Sequence, residues 1–390
     1  MPETSFAPAE VQQMIDTRRD LHAHPELAFE EVRTSGIVAE RLRALGLAPA
    51  TGVGRTGVTA IVQGTKPGRT VLLRADMDAL PIQEENDTPY RSQSDGRMHA
   101  CGHDCHTSIL LGVAQRMAAE RRELDGSVKL VFQPAEECGG GAVGMIDAGV
   151  LREPKPDAAF GLHVWQALDL GKVGVTSGPM MAAVDEMTIT LHGTGTHAAM
   201  PQLGVDPVVC AAHVITALQS VASREADPLQ AVVVSITQMD AGTAFNIIPP
   251  TAKLRGTVRV FDPALWRELP ERIERIVQGI AQAFRCRATI DYQRFNGPTV
   301  NDPAMAAIAR EAAIEVVGAA NVVDDVRTMG GEDFSAFLLQ VPGCFIAVGS
   351  RNESRGLVHG HHHPRFDVDE GCLAIGAEVL LRTARKFLAS

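Results

Sequence analysis

The chain is short of positive charge. It sets 36 Lys and Arg against 47 Asp and Glu, for a formal net charge of −11, and no Lys/Arg-rich run offsets that balance. A polyphosphate binder needs a basic footprint, so no nucleic-acid partner is expected. No uninterrupted apolar stretch approaches the roughly eighteen residues of a membrane-spanning helix, so no membrane partner is expected either. Met1 to Glu10 is polar and proline-bearing, without the basic-then-apolar order of a secretory signal. Seven cysteines are an odd number, scattered without a compact framework. That argues against a disulfide scaffold and for reduced thiols in the cytoplasm, any special cysteine being reactive or metal-binding. Few aromatics and 45% hydrophobic residues describe an ordinary globular protein, with a small molecule or a second copy of itself as partner.

At 390 residues the chain exceeds one typical domain. The spacing predicts a helix over Val11–His24, stopped by Pro25, and buried strands over Val58–Gln63 and Thr70–Ala75. A helix over Thr107–Arg121, a strand over Val128–Gln133, a short helix near Ala142–Ala148 and a strand over Ala158–Val164 follow. Strands alternating with helices imply an α/β domain with a mostly parallel sheet flanked by helices. The middle segment reads as strand Glu186–His192, helix Pro207–Val221, strands Ala231–Thr237 and Thr251–Val260, helix Pro263–Phe284 and strand Arg287–Phe295. That order, βαββαβ, is ferredoxin-like. The expected organisation is a discontinuous domain of residues 1–183 and 297–390, ending in a helix near Gly371–Phe387. Residues 184–296 are inserted, with hinges near Ala183 and Phe295.

The densest set of metal-capable side chains is His99 to His106. Cys101 and His103, two apart, would project from one side of an extended segment just before the helix expected at Thr107. Gln133 to Gly141 holds the adjacent Glu136 and Glu137 where a buried strand ends. Neighbours on a strand diverge, so one can ligate a metal while the other acts as general base. A solvated acidic pair is the plainer reading, which the apolar strand before it and the glycines after it weaken. His163 also sits near a strand end, where a lone histidine is more often a bonded core residue. His359, His361, His362 and His363 form a fourth group. Thiolate, imidazole and carboxylate together suit zinc, manganese, cobalt or nickel. In the insertion His197, on a glycine-flanked loop, can donate to substrate or cap a helix. Asn246 lies further along the same domain. Arg259 can pair a substrate carboxylate bidentately or be an exposed strand arginine. Gly330 to Asp333 reads as a helix start with free N–H groups.

These segments resemble the metallopeptidase family that contains aminoacylases, carboxypeptidase G and hippurate hydrolase. Within it the resemblance is to the branch of hippurate hydrolases, N-acyl-amino-acid amidohydrolases and plant auxin-conjugate hydrolases. It is carried by RDLHAHPELAFEE (19–31), RADMDALP (74–81), HACGHDCH (99–106), FQPAEE (132–137) and GLHV (161–164). Residues 193–201, FNIIP (245–249), MGGEDFS (329–335) and HHPRF (362–366) complete the set.

The resemblance implies a phosphorylase/hydrolase-like catalytic domain holding two divalent ions on Cys101, His103, Glu137, His163 and His362, with Cys101 bridging. It implies Glu136 as general base, and Asn246, Arg259 and Gly331 as substrate contacts. It makes His197 an oxyanion donor that reaches a partner subunit across a homodimer, or a tetramer, built on the inserted domain. Peptidase-type members begin with His-x-Asp and use an aspartate bridge. Here that segment reads Arg74-Ala75-Asp76 and Cys101 takes the bridge position, which points to the amidohydrolase branch and exposes a thiolate to oxidation. The expected reaction is amide hydrolysis of N-acyl amino acids of hippurate or N-acetyl type. The alternatives are a ureido or carbamoyl amidohydrolase, a dipeptidase, and a silent ligand-binding relative.

Overall fold

The computed structural model describes residues 4–390. Helices α1 (Pro8–Ala23) and α2 (Val32–Ala44) precede strands β1 (Ala50–Val53), β2 (Gly57–Gln63) and β3 (Lys66–Asp76). Then come α3 (His103–Ala119), β4 (Asp125–Gln133), α4 (Gly141–Asp147), β5 (Ala158–Asp169), β6 (Val173–Gly174) and β7 (Gly178–Met181). The middle holds β8 (Val184–His192), β9 (Thr196–His197), α5 (Pro207–Ser220), β10 (Val232–Ala241) and β11 (Ile247–Ile248). It continues with β12 (Thr251–Val260), α6 (Pro263–Ala283) and β13 (Arg287–Asn296). The last stretch carries β14 (Thr299–Asn301), α7 (Pro303–Val317), β15 (Val322–Val323), α8 (Ser335–Leu338), β16 (Gly343–Arg351) and α9 (Gly371–Ala389).

Two compact units form, each around its own apolar core. The first runs through Met180 and adds Val300–Arg327 and Asp333–Ser390. Its eight-stranded sheet has the order β1-β2-β4-β3-β5-β16-β6-β15. The centre, β4-β3-β5-β16, is parallel, and β1 and β2 add antiparallel at one edge. Every residue of β3 from Thr70 to Asp76 is buried, as a central strand covered on both faces requires. Helices α3 and α9 pack on this sheet.

The second unit is Met181–Thr299 with Thr328–Glu332. Its sheet, β10-β12-β8-β13, is antiparallel throughout. With α5 and α6 it has the βαββαβ order of a ferredoxin-like unit. On β8 and the first half of β12 buried and more exposed residues alternate, and the buried set joins the core with the inner faces of α5 and α6.

Two expectations are corrected. Helix α3 begins at His103 rather than Thr107, because Gly102 takes φ +93 and turns the chain into the helix four residues early. The run Gly330–Asp333 is not a helix start. The only helix there is the four-residue α8 at Ser335, and neighbouring glycines fail to hold helical geometry.

Candidate metal centre

The C-terminal ends of β3, β4 and β5 lie side by side, where parallel α/β sheets open their ligand crevice. Asp76 ends β3 and Asp78 follows it; Gln133 ends β4, just before Glu136 and Glu137; His163 lies within β5. Cys101 and His103 arrive through the α3 start, not on the extended segment the spacing suggested, since left-handed Gly102 stands between them. A Cβ at Gly102 would stand 2.3 Å from Val164 Cγ2, so only glycine fits. Nor do the two glutamates diverge as strand neighbours. Both sit in a turn entered through Ala135 at φ +55, and the backbone N–H groups of Glu136 and Glu137 each donate to the Asp78 carboxylate at 3.0 Å.

The ligand atoms of Cys101, His103 and His163 lie within 4.8 Å of one another, as do those of Cys101, Glu137 and His362, and those of His103, Glu136 and Glu137. Cys101, His103 and Glu137 each belong to two of these sets. Cys101 Sγ is 3.4 Å from His163 Nε2, and His362 Nε2 is 3.2 Å from Glu137 Oε1. His163 donates from Nδ1 to the Val164 carbonyl at 2.5 Å, which leaves the Nε2 lone pair facing the thiol. His103 Nδ1 is 3.3 Å from Asp78 Oδ1, so its Nε2 is the nitrogen turned toward Glu137, 3.9 Å away.

Both nitrogens of His103 and Oε1 of Glu137 are buried without hydrogen-bond geometry to any group. Orphaned buried polar atoms converging from separate segments fit a cation. The electrostatics fit as well. Burial and the nearby Glu137 push the Cys101 thiol well above its usual range. Burial would lower His103, but Asp76, Asp78 and Cys101 outweigh it and raise its pKa well above the usual imidazole range. Glu137 raises His362, whereas burial and neighbouring His106 and His361 depress His163. A divalent ion replaces the protons that such a set otherwise collects.

Of the histidine-rich loop, only His362 faces Glu137. His361 accepts the Gln166 N–H, and burial depresses it to about 3. His359 and His363 stack on each other at 4.3 Å. His106 has both nitrogens committed, Nδ1 to Asp76 at 2.6 Å and Nε2 to the Val164 N–H at 2.9 Å. Buried His99 is pushed to about 4.

A shell of charge that sequence reasoning missed surrounds these groups. Arg74 donates to Asp76 at 2.7 Å, Gln133 at 2.8 Å and Asp333 at 2.9 Å. Asp333 accepts Ala142 N–H and sends its own N–H to Glu136 Oε1 at 3.3 Å. The available signal was a charged Arg74-x-Asp76 inside an otherwise apolar strand, which a buried strand carries only when paired.

The remaining candidates belong to the second unit. His197, on β9, pairs with Ile247 and accepts the Ala199 N–H on Nδ1 at 3.1 Å. The Asn246 carbonyl accepts Ala198 N–H at 3.0 Å, so these two residues are neighbours. Arg259 is half-buried at a groove of about 370 Å³ lined by Asp185, Glu186, Thr257 and Phe295. At Gly331 a Cβ would stand 2.1 Å from Val184 Cγ2.

Comparison with known proteins gives a consistent picture. The model of peptidase family M20/M25/M40 matches residues 72–386. IAA-amino acid hydrolase ILR1-like 4 of Arabidopsis thaliana is 41% identical over 379 residues, covering 96% of this chain and 86% of that protein. The N-acyl-L-amino acid amidohydrolase of Geobacillus stearothermophilus is 44% identical over 289 residues, covering 74% of this chain and 78% of the relative. Among solved structures, the YXEP protein of Bacillus subtilis, described as a dinuclear metal-binding peptidase, superposes with a TM-score of 0.87 at 35% identity, covering 99% and 100% of the two chains.

Proposed function

Because the chain belongs to peptidase family M20/M25/M40, we propose that Cys101, His103, Glu137, His163 and His362 hold two divalent ions and that Glu136 moves the proton during catalysis. The enzyme hydrolyses the amide bond of N-acyl amino acids. The observation that carries the site assignment is the convergence of five ligand side chains, among them His103 and Glu137, whose buried ring nitrogens and Oε1 lack hydrogen-bond partners.

Thiolate, imidazole and carboxylate donors match zinc, manganese, cobalt or nickel. Divalent ions bound there supply Lewis acidity, bringing the pKa of water toward neutrality. Glu136 takes the proton of the attacking water and returns it to the leaving amine. Its neighbour Glu137 stays a ligand. His197 accepts a backbone N–H on Nδ1, so its proton sits on Nε2, free to share the developing oxyanion charge. It reaches the active centre of a partner subunit in a homodimer built on the inserted unit. Exposed Met200, Leu203, Phe245 and Ile247 on that unit support an interface there. Arg259 pairs the substrate carboxylate, and Asn246 and Gly331 hold its amide and carboxylate ends. Free thiols at all seven cysteines support a cytoplasmic enzyme, and no helix among the described residues is long and apolar enough to cross a membrane.

Release of amine from hippurate, N-acetyl-amino acids and N-carbamoyl-amino acids tests the substrate class, and preference for the carbamoyl set would redirect the assignment to ureido chemistry. Glu136→Gln is expected to keep its bound metal, by elemental analysis, yet lose turnover by about 10²-fold or more. Turnover at the wild-type rate sinks the base assignment, and activity that survives exhaustive chelation sinks the metal assignment.

A further inference from the structure

Among the described residues, five other than glycine adopt positive φ: Phe29, Arg55, Ala135, Arg285 and His362. Such conformations cost of order 1 kcal/mol and persist where surrounding structure imposes them. Two of the five, Phe29 and Ala135, meet at one carboxylate. Glu31 Oε1 accepts the N–H of Phe29 and the N–H of Ala135, each at 2.9 Å. Its other oxygen accepts the hydroxyl of Thr56, the neighbour of Arg55, at 2.5 Å.

Glu31 is the residue before α2, where a carboxylate would ordinarily turn to the free N–H groups of its own helix. It makes no such cap. It is fully buried instead, and bonds a backbone 104 positions away. A buried carboxylate is costly unless its lone pairs are filled, and here three donors fill them. The donor that matters is Ala135. Its left-handed φ starts the turn that carries Glu136 and Glu137, and the turn has no slack, since a Cβ at Gly141 would stand 1.6 Å from the Pro134 carbonyl oxygen.

We infer that Glu31, locked by Thr56, is a positioning residue for Glu136: it holds the Ala135 N–H, fixes the strained turn, and so aims the Glu136 carboxylate. This rests on the reading of Glu136 as the proton carrier. None of the hydrogen bonds of the Glu31 carboxylate goes to a proposed metal ligand. Its removal is therefore expected to misaim Glu136, the residue next to Ala135, while the Glu137 N–H keeps its anchor on Asp78.

The test uses the full-length metal-loaded enzyme and whichever amide of the panel it cleaves fastest. Glu31→Ala is expected to lower kcat by about 10- to 100-fold, the scale of a 1 Å misplacement, with KM and bound metal unchanged. Glu31→Gln keeps an acceptor for both N–H groups and is expected to restore most of the rate. Thr56→Val leaves the carboxylate in place but frees one oxygen, so it is expected to give a smaller kcat loss. Should Glu31→Ala not fold, Thr56→Val carries the test. In the Glu136→Gln background, Glu31→Ala is expected to add no further loss. A wild-type kcat in Glu31→Ala or in folded Thr56→Val overturns the inference. So does a fall of kcat accompanied by a raised KM and lost metal, or an additive loss in the double variant. Failure of the underlying reading is seen separately, as wild-type turnover in Glu136→Gln alone.

Discussion

At the scale of single residues the centre depends on backbone conformations that few side chains tolerate. Gly102 is the sharpest case, with φ +93 and Val164 Cγ2 2.3 Å from any Cβ. His362 is another, reaching Glu137 from φ +63 with its N–H anchored on the Ala100 carbonyl at 2.8 Å. Gly102→Ala must displace Val164 or swing Cys101 away from His103. It is expected to destabilise by more than about 1 kcal/mol and to lose metal. Thermal melting and elemental analysis check this, and wild-type values for both would show that the turn has room to relax.

At the scale of elements, α1 ties the centre together from behind. Its buried face carries charge: Arg18 donates to Asp104 on α3 at 2.9 Å and to Asp367, beyond the His362 loop, at 2.7 Å. His22 bonds the same Asp104 at 2.8 Å and lies 3.2 Å from Glu84. The first turn of α3, which starts at His103, and the segment after His362 are thus fixed to one helix. Removing one partner of a buried pair leaves uncompensated charge. Arg18→Met is expected to cost about 3–5 kcal/mol near pH 6.

The pH dependence has two limbs. Burial would raise Asp104, but Arg18 and His22 hold it well below the carboxylate range. Its stabilisation is therefore present above the unfolded value of about 3.9 and lost as pH falls below it. Burial and Arg18 would lower His22, but its bonds to Asp104 and Glu84 raise it. That contribution is full below about 6.5 and lost as pH rises through the raised value. Melting temperature from pH 3 to 9 should show both declines in the wild type and a weakened acid limb in Arg18→Met. Identical profiles in the two would mean that the network does not couple to folding.

For the whole molecule, the proposed completion of the active centre by a second subunit makes a sharp prediction. Glu136→Gln and His197→Ala should each be inactive alone. Co-expressed at equal amounts, they should recover about one quarter of wild-type turnover, because half of the symmetric dimers are mixed and each of those has one complete site. No recovery in material shown by light scattering to contain mixed dimers would mean that His197 acts within its own chain or not at all.

The sequence by itself determined the two periodicities and their order. Alternating apolar runs read as βα units around a buried sheet, and a central βαββαβ block read as a ferredoxin-like insertion, because hydrophobic spacing is local and each element imposes its own period. It also displayed metal-capable residue types, since Cys101, His103, Glu137, His163 and His362 stand in segments dense in such groups. Tertiary structure alone decided how those atoms meet. The left-handed turns at Gly102 and Ala135 replaced the extended and strand geometries that spacing suggested, because dihedral choice at one residue depends on what packs against it. Glu31, Asp78, Arg74, Asp104 and Asp333 were invisible as partners for the same reason. Each is held by a hydrogen bond to a distant segment, and a bond across 104 or 259 positions leaves no period in the chain to read.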